Sequence, residues 1–315
     1  MKLSFILPLY NEAENLPRLF ESIYAVIKEK GYDYELIAVD DGSKDASFLT
    51  LKGSAEKDPK VKVIRFLVNS GQTAALSAGI DHATGDILIP LDSDLENDPK
   101  DIPLLLSKLD EGYDVVSGWR KDRWKGKFLT RKVPSVTANW LISKITGVHL
   151  HDYGCTLKAY RAEVIRGVRL YGEMHRFIPA YASWRGARVT EVPVHYHQRI
   201  HGKSNYGISR TFKVLLDLLL IKFLHKYMDR PMHFFGGLGL VSLALGFLAG
   251  VVAVVLKVLS IRTLVSTPLP QLSALFIIVG VQLAAMGVIA EMIMRMYYET
   301  QDKRPYSIKE TINLK

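Results

Sequence analysis

Residues 89–99 read IPLDSDLENDP and set four carboxylates, Asp92, Asp94, Glu96 and Asp98, on alternate positions directly after the apolar run DILIPL. Ionised carboxylates at this spacing repel one another. Beside an apolar wall they are costly unless a cation, hydrogen bonds or water compensate them. These residue types point to a divalent metal, and hard cations such as Mg²⁺ or Mn²⁺ take oxygen ligands of this kind. Other polar groups follow apolar runs in the same way: Asn11 and Glu12 after KLSFILPL, Asp40 and Asp41 at the end of YELIAVD, and Asn69 after VKVIRFL.

Groups of this kind need elements that bring them together. Short apolar segments at 2–9, 34–40, 61–67, 86–92 and 113–118 alternate with helical patterns near 14–29, 45–57, 71–83 and 99–110. That alternation predicts an α/β fold with a mostly parallel sheet. In such sheets ligands bind beyond the carboxyl ends of the strands, where these polar residues collect. Asp98 before Pro99 offers an N-cap and an N1 proline for the last helix.

The 315-residue chain is 48% hydrophobic and 23% charged, which excludes disorder. Its apolar residues are unevenly spread. Residues 234–256 and 272–290 hold no charged side chain, and each run matches the ~20 residues that span a bilayer. A link with Lys257, Arg262, Pro268 and Pro270 makes them a hairpin, with spans near 234–256 and 272–294 inside a segment 231–296. Before it, residues 208–230 place Leu215, Leu216, Leu219, Leu220, Phe223 and Leu224 on one helical face, the pattern of an amphipathic juxtamembrane helix. Core packing against the sheet is the competing reading of that pattern.

The N-terminus MKLSFILPLYNE is too soon polar for a signal peptide. Cations flanking the hairpin (Lys222, Lys226, Arg230, Arg295, Lys303, Arg304, Lys309) outnumber the two in the link. The positive-inside rule then expects residues 1–207 and the tail 297–315 in the cytoplasm, with the spans in the inner (plasma) membrane. Cys155 is the single cysteine, which suits a reducing compartment. The formal charge of +9 suits an anionic partner. Nucleic acid is disfavoured, because no recognition motif accompanies the charge. His195, His197 and His201 lack the cysteine or close acid that would complete a zinc site.

Five motifs occur in order: PLYNE (8–12), VDDGSKD (39–45), NSGQTAALSAGI (69–80), LDSDLENDP (91–99) and RIHGKSNYG (199–207). Over residues 1–207 the chain resembles the inverting family 2 glycosyltransferases of GT-A fold. Among them it is most similar to the polyisoprenyl-phosphate glycosyltransferases, the group of dolichol-phosphate mannose synthase and the GtrB-type enzymes, whose membrane hairpin it shares.

The resemblance implies that Pro8, Tyr10, Glu12, Asp40 and Asp41 hold the donor nucleotide. It implies that Asp92 faces the sugar-nucleotide and that Asp94 holds Mg²⁺ or Mn²⁺ on the diphosphate. Glu96 stands where dolichol-phosphate mannose synthases often have glutamine, and it is a further candidate ligand. Arg120, Arg131 and Ser135 match contacts to the acceptor lipid phosphate; the two arginines belong to the basic segment RKDRWKGKFLTRK (120–132), in which Trp124 and Phe128 could enter the interface. Asp152, in HDYGCTLKAYR, matches an acceptor-side acid, and Arg199 and Lys203 match cations that grip the departing diphosphate.

The expected activity is transfer of a hexose from a nucleoside diphosphate sugar to a polyisoprenyl phosphate, with UDP-glucose as donor and GDP-mannose as the alternative. A processive polysaccharide synthase lacks support, because its QxxRW motif is absent. A silent membrane scaffold would be expected to lose acids from the DSD triplet, and none is lost. Homo-oligomerisation is left open.

Overall fold

A computed structural model describes residues 1–123, 133–168, 170, 174–197, 231–300 and 306–314. The chain forms two compact units, Met1–Leu218 with Arg304–Lys315, and Leu219–Lys303.

In the first unit the apolar runs become β1 (Lys2–Leu9), β2 (Asp33–Asp40), β3 (Val61–Phe66), β4 (Ile87–Pro90) and β5 (Val115–Trp119). The helical patterns between them become α1 (Leu16–Lys30), α2 (Ser47–Lys57), α3 (Gln72–His82) and α4 (Ile102–Asp110). Each lies within a few residues of its expected span. One boundary differs: Asp98 accepts a hydrogen bond from the Lys100 N–H and caps a 3₁₀ turn, Pro99–Asp101, that precedes α4.

The later elements are α5 (Val133–Thr146), β6 (Lys158–Arg161), α6 (Ala162–Ile165), α7 (Ile178–Trp184) and β7 (Val189–Pro193). The sheet built by the described residues has eight strands in the order β7-β5-β6-β4-β1-β2-β3-β8, the last being Ile308–Ile312. Strands β1 to β4 pair in parallel, as do β5 and β7. Strands β6 and β8 run against their neighbours.

Both faces of the sheet are covered, which is why β1 is buried at seven successive positions from Leu3 onward. One face packs Leu16, Leu19 and Ile23 of α1 with Leu105 and Leu109 of α4. The other packs Ala75, Ala78 and Ile80 of α3 with Ile165 and Ile178. Gly79 lets α3 settle directly on β1: a Cβ there would stand 2.2 Å from Cγ2 of Ile6.

Residues 306–314 return to this unit. Strand β8 pairs with β3, Tyr306 stacks on Phe66 with ring centroids 5.2 Å apart, and the Tyr306 hydroxyl donates to Asp81 at 2.7 Å. The sequence reading had only a tail here, because IKETI is too polar to register as a strand. It is an edge strand, where exposed polar side chains are expected.

In the second unit α8 (Pro231–Val258) and α9 (Leu269–Thr300) form an antiparallel hairpin. Gly239 lies against Gly280, so that a Cβ on either would stand 2.9 Å from the other's carbonyl oxygen. The Ser242 and Ser273 hydroxyls donate across the seam to the Phe276 and Gly246 carbonyls, each at 2.7 Å. Small residues and such cross-seam bonds are how helices associate without a hydrophobic driving force. Residues Phe234–Val258 and Leu269–Ala290 are long and apolar enough to cross a membrane. Phe247, Leu240 and Ile278 remain exposed on them. The expected helix at 208–230 lies outside the described residues.

At the amino ends of the strands, the β2 carboxylate Glu35 is buried. It accepts hydrogen bonds from Ser4, from the Thr84 N–H and hydroxyl, and from Lys62 and Lys2 at 2.7 and 3.0 Å. Burial alone would raise its pKa, but the Lys62, Ser4 and Thr84 hydrogen bonds win and hold it well below the ordinary 4.5. A depressed carboxylate stabilises the fold fully above its unfolded pKa and loses that contribution as pH falls towards its folded value. Glu35→Gln should therefore destabilise the detergent-solubilised protein at pH 7 by about 3 kcal/mol, the scale for breaking a buried ion pair. Thermal unfolding of both proteins should show this gap constant above about pH 5 and shrinking below 4.5. A gap independent of pH would remove the charged network as its cause.

Candidate active site

The loops after β1 and β2 are stitched together. The Asn11 and Glu12 N–H groups donate to the Ser43 and Ser47 hydroxyls, each at 2.9 Å, and the Lys44 N–H donates to Asn11 Oδ1 at 2.8 Å. Asn11 makes this turn with φ 57°, a left-handed conformation that asparagine tolerates. Of the expected nucleotide residues, Pro8 is next to last in β1 and its carbonyl accepts from the Ser93 hydroxyl at 3.1 Å, and Tyr10 is 40% exposed at the loop. Glu12 accepts from the Asn15 amide at 2.6 Å.

Asp40 and Asp41 are both buried. Asp40 Oδ1 accepts from the Ser43 N–H, and its Oδ2 stands 3.5 Å from Arg65 Nε. Asp41 accepts the Ser70 and Gly71 N–H groups at 2.6 and 2.8 Å and so anchors the loop that opens α3. Burial, partly offset by those two N–H bonds, raises its pKa.

Asp92 and Asp94 emerge just beyond β4. Gln72, at the start of α3, donates to Asp92 Oδ1 at 2.7 Å, and the Thr156 hydroxyl donates to Oδ2. Withdrawal from water and then the charge of Asp94 push the Asp92 pKa up to about 6. Leu95, between Asp94 and Glu96, is held at φ 61°. A bulky residue there carries strain of about 1–2 kcal/mol, a feature that recurs at functional sites. The turn it makes lets Asp94 Oδ1 accept the Glu96 N–H at 3.0 Å.

Beside this pair lies a buried ion cluster. Arg120, just after β5, donates to both oxygens of Asp152 at 2.8 and 3.1 Å and to Glu96 at 3.3 Å. Arg123 adds a second cation 3.7 Å from Glu96. Burial would raise the Asp152 pKa, but the charge and hydrogen bonds of Arg120 hold it down at about 2. The Arg120 side chain is 2% exposed. Its guanidinium is thus held by Asp152 and Glu96, carboxylates that would otherwise be buried without a cation. Glu96, offered as a metal ligand, turns its carboxylate to these two arginines.

A cavity opens between the clusters, lined by Gln72, Asp92, Glu96, Arg120, Thr156 and Lys158, with His175 and Arg176. The sequence reading missed Lys158, His175 and Arg176. Lys158 lies in the short strand β6, and burial lowers its pKa. His175 is fixed through Nδ1 to the Thr73 hydroxyl at 2.7 Å. Ser135 sits half-buried on α5, whose Val136 and Trp140 are exposed and whose Lys144 lies 5.1 Å over the Trp140 ring. Arg131, Arg199 and Lys203, with Trp124 and Phe128, lie outside the described residues.

The residues present fit a divalent cation that arrives with its ligand. Asp92 and Asp94 offer hard oxygen donors, and a cation such as Mg²⁺ is commonly held by one or two carboxylates plus substrate phosphates. No cluster of three or more His, Cys, Asp or Glu among the described residues would hold an ion by itself.

The family model for glycosyl transferase family 2 matches residues 4–169. The chain is 43% identical to a dodecaprenyl-phosphate galacturonate synthase of Rhizobium johnstonii, over 98% of this chain and 93% of that protein. It is 36% identical to an undecaprenyl-phosphate 4-deoxy-4-formamido-L-arabinose transferase of Enterobacter sp., over 99% and 94%. Among solved structures it is similar to glucosyl-3-phosphoglycerate synthase from Mycobacterium tuberculosis bound to Mn²⁺, uridine diphosphate and glucosyl-3-phosphoglycerate. The TM-score there is 0.54 at 18% identity, covering 70% of this chain and 79% of that one. A further structure of that synthase, with phosphoglyceric acid, gives 0.55 at 17%, covering 71% and 79%. An Asp92–Asp94 pair at the carboxyl edge of a GT-A sheet, and relatives that match along nearly the whole chain, lead to one conclusion: the protein is a glycosyltransferase belonging to glycosyl transferase family 2.

Proposed function

We propose that the protein transfers a sugar from a nucleoside diphosphate sugar to a polyisoprenyl phosphate, with inversion, at a membrane surface. The observation that carries this is Asp92, two residues before Asp94, on a cavity that Arg120, Lys158 and Arg176 also line, in a chain that carries a hairpin of membrane-spanning length. The relatives' polyprenyl-phosphate acceptors support it. Asp94, with Asp92, would hold Mg²⁺ or Mn²⁺, which when bound neutralises the diphosphate as it departs.

The nucleophile needs little help. A phosphate monoester has a second pKa near ~6, so at neutral pH its oxygen is already anionic. Asp152, held near 2 by Arg120, is too weak a base to take a proton there. Its work is to fix Arg120, and with it Glu96, behind the acid pair. Val136 and Trp140 on α5 give the same unit an apolar exposed face beside Ser135, suited to a lipid acceptor.

For the sugar, UDP-glucose is the expectation from the sequence, whereas relatives that match along nearly the whole chain, hairpin included, carry galacturonate and 4-deoxy-4-formamido-L-arabinose in their names. A transfer assay to polyprenyl phosphate across UDP-glucose, GDP-mannose and the uronate donors decides among them. We place the hairpin in the inner membrane with the sheet in the cytoplasm, on the distribution of lysine and arginine around it. Both ends of the chain share the sheet through β1 and β8, so the crossings between them must be even in number.

Three outcomes test this reading. Asp94→Asn should lower turnover about 10²-fold or more in the presence of Mn²⁺, with the thermal transition kept. Near-normal turnover would remove Asp94 from the site. Asp152→Asn leaves Arg120 buried with one charge fewer, so stability should fall by about 3 kcal/mol, while the residual activity keeps its pH profile. Loss of an ascending limb from that profile would restore Asp152 as a base. In a Cys155→Ser background, Ser266→Cys should react with an impermeant thiol reagent on intact cells and Ser307→Cys should not. The reverse labelling would invert the orientation.

A further inference from the structure

The cavity lining includes a buried ammonium, that of Lys158. Lys158 lies on β6, a strand between β5 and β4 within the sheet, and is 3% exposed. Withdrawing an ammonium from water costs several kcal/mol unless an anion repays it. Its hydrogen bonds go to the backbone carbonyls of Tyr153, at 3.4 Å, and Cys155. No carboxylate among the described residues lies within ion-pair distance of it. Arg120, by contrast, is matched by Asp152 and Glu96.

A histidine and an arginine share this lining. The 3₁₀ turn Met174–Phe177 supplies both His175 and Arg176 to the cavity. Its place is fixed by the start of α3: Gln72 donates to Asp92, and the next residue, Thr73, bonds His175. Consecutive Cα atoms are about 3.8 Å apart. Two adjacent residues at the start of α3 thus hold Asp92 and His175 on one cavity.

We propose that Lys158, His175 and Arg176 receive a carboxylate carried by the transferred sugar, so that the donor is a nucleoside diphosphate hexuronic acid. The inference rests on the reading of the protein as a polyprenyl-phosphate sugar transferase and names the sugar class for it. A neutral hexose offers this lining only hydroxyls, whereas a carboxylate gives the ammonium its missing counter-ion and suits the fork of an arginine. The acceptor phosphate is the other anion that such cations could hold. The burial of Lys158 within the sheet favours the sugar, since a lipid phosphate approaches from the membrane surface.

The test measures transfer to a short-chain polyprenyl phosphate in detergent with Mn²⁺, from UDP-galacturonate and UDP-glucuronate against UDP-galactose and UDP-glucose. One of the uronates should be preferred over its neutral counterpart by about 100-fold or more in kcat/KM, the scale on which a site built for a polar group rejects an analogue lacking it. Arg176→Gln, at a partly exposed position where folding is retained, should cut that preference at least about tenfold through the uronate KM. Arg176→Lys should restore part of it. Lys158→Met should do the same as Arg176→Gln if it folds, and the Arg176 pair decides if it does not.

A wild-type preference for a neutral hexose overturns the proposal and leaves the transferase reading standing. Equal losses for both donor classes in Arg176→Gln also overturn it, as does a raised KM for polyprenyl phosphate that is the same with every donor, which would assign the cations to the acceptor. No transfer from any donor overturns the transferase reading, and this inference with it.

Discussion

Carboxylates withdrawn from water must each be answered, and the catalytic unit is organised around how that is done. At the amino edge of the sheet Glu35 is answered by two lysines and by the donors of the 84-loop. At the carboxyl edge Asp41 is answered by backbone N–H groups, and Asp152 and Glu96 by Arg120. Asp92 is different, because its donors are the uncharged Gln72 and Thr156. A carboxylate held by neutral donors beside a second carboxylate is an environment that favours an incoming cation. The same logic with the sign reversed holds for Lys158.

Much of this was legible in the sequence. Strands β1 to β5 are apolar runs bounded by polar turns, and such runs announce buried parallel strands. The acids at their ends could be named by type and position. The remaining strands could not be read: KAYR, VTEVP and IKETI are short and carry charges that only tertiary partners explain. The pairings that decide roles were hidden for the same reason. Arg120 meets Asp152 across 32 positions, Gln72 meets Asp92 across 20, and Thr73 meets His175 across 102. A motif tells which residue types are present, while the fold decides which of them neutralise one another. Arg120 shows the difference, since its two carboxylate partners lie 24 and 32 positions away in the chain.

The hairpin and the sheet obey opposite packing rules. In the sheet unit large apolar side chains fill the space between layers, and small residues serve close approach, as Gly79 does against Ile6. In the hairpin glycine and serine mark the points of closest approach, and Phe247, Leu240 and Ile278 are among the large residues that stay exposed. In water this would expose a broad apolar surface of the kind that drives association. In hydrocarbon it costs nothing, and the close backbone contact supplies the dispersion and hydrogen bonding that hold the pair.

Strand β8 has a consequence for the order of assembly. It is encoded after the hairpin, yet it covers the edge of β3 and is pinned there by Tyr306 and Asn313. A ribosome working from the amino end has completed both hairpin helices before the strand that closes the sheet exists. Until then β3 presents unpaired N–H and C=O groups, the kind of edge that recruits foreign strands. Synthesis therefore finishes the sheet unit only after the hairpin has been made, and a nascent chain stalled within the hairpin would carry a sheet with one edge still open.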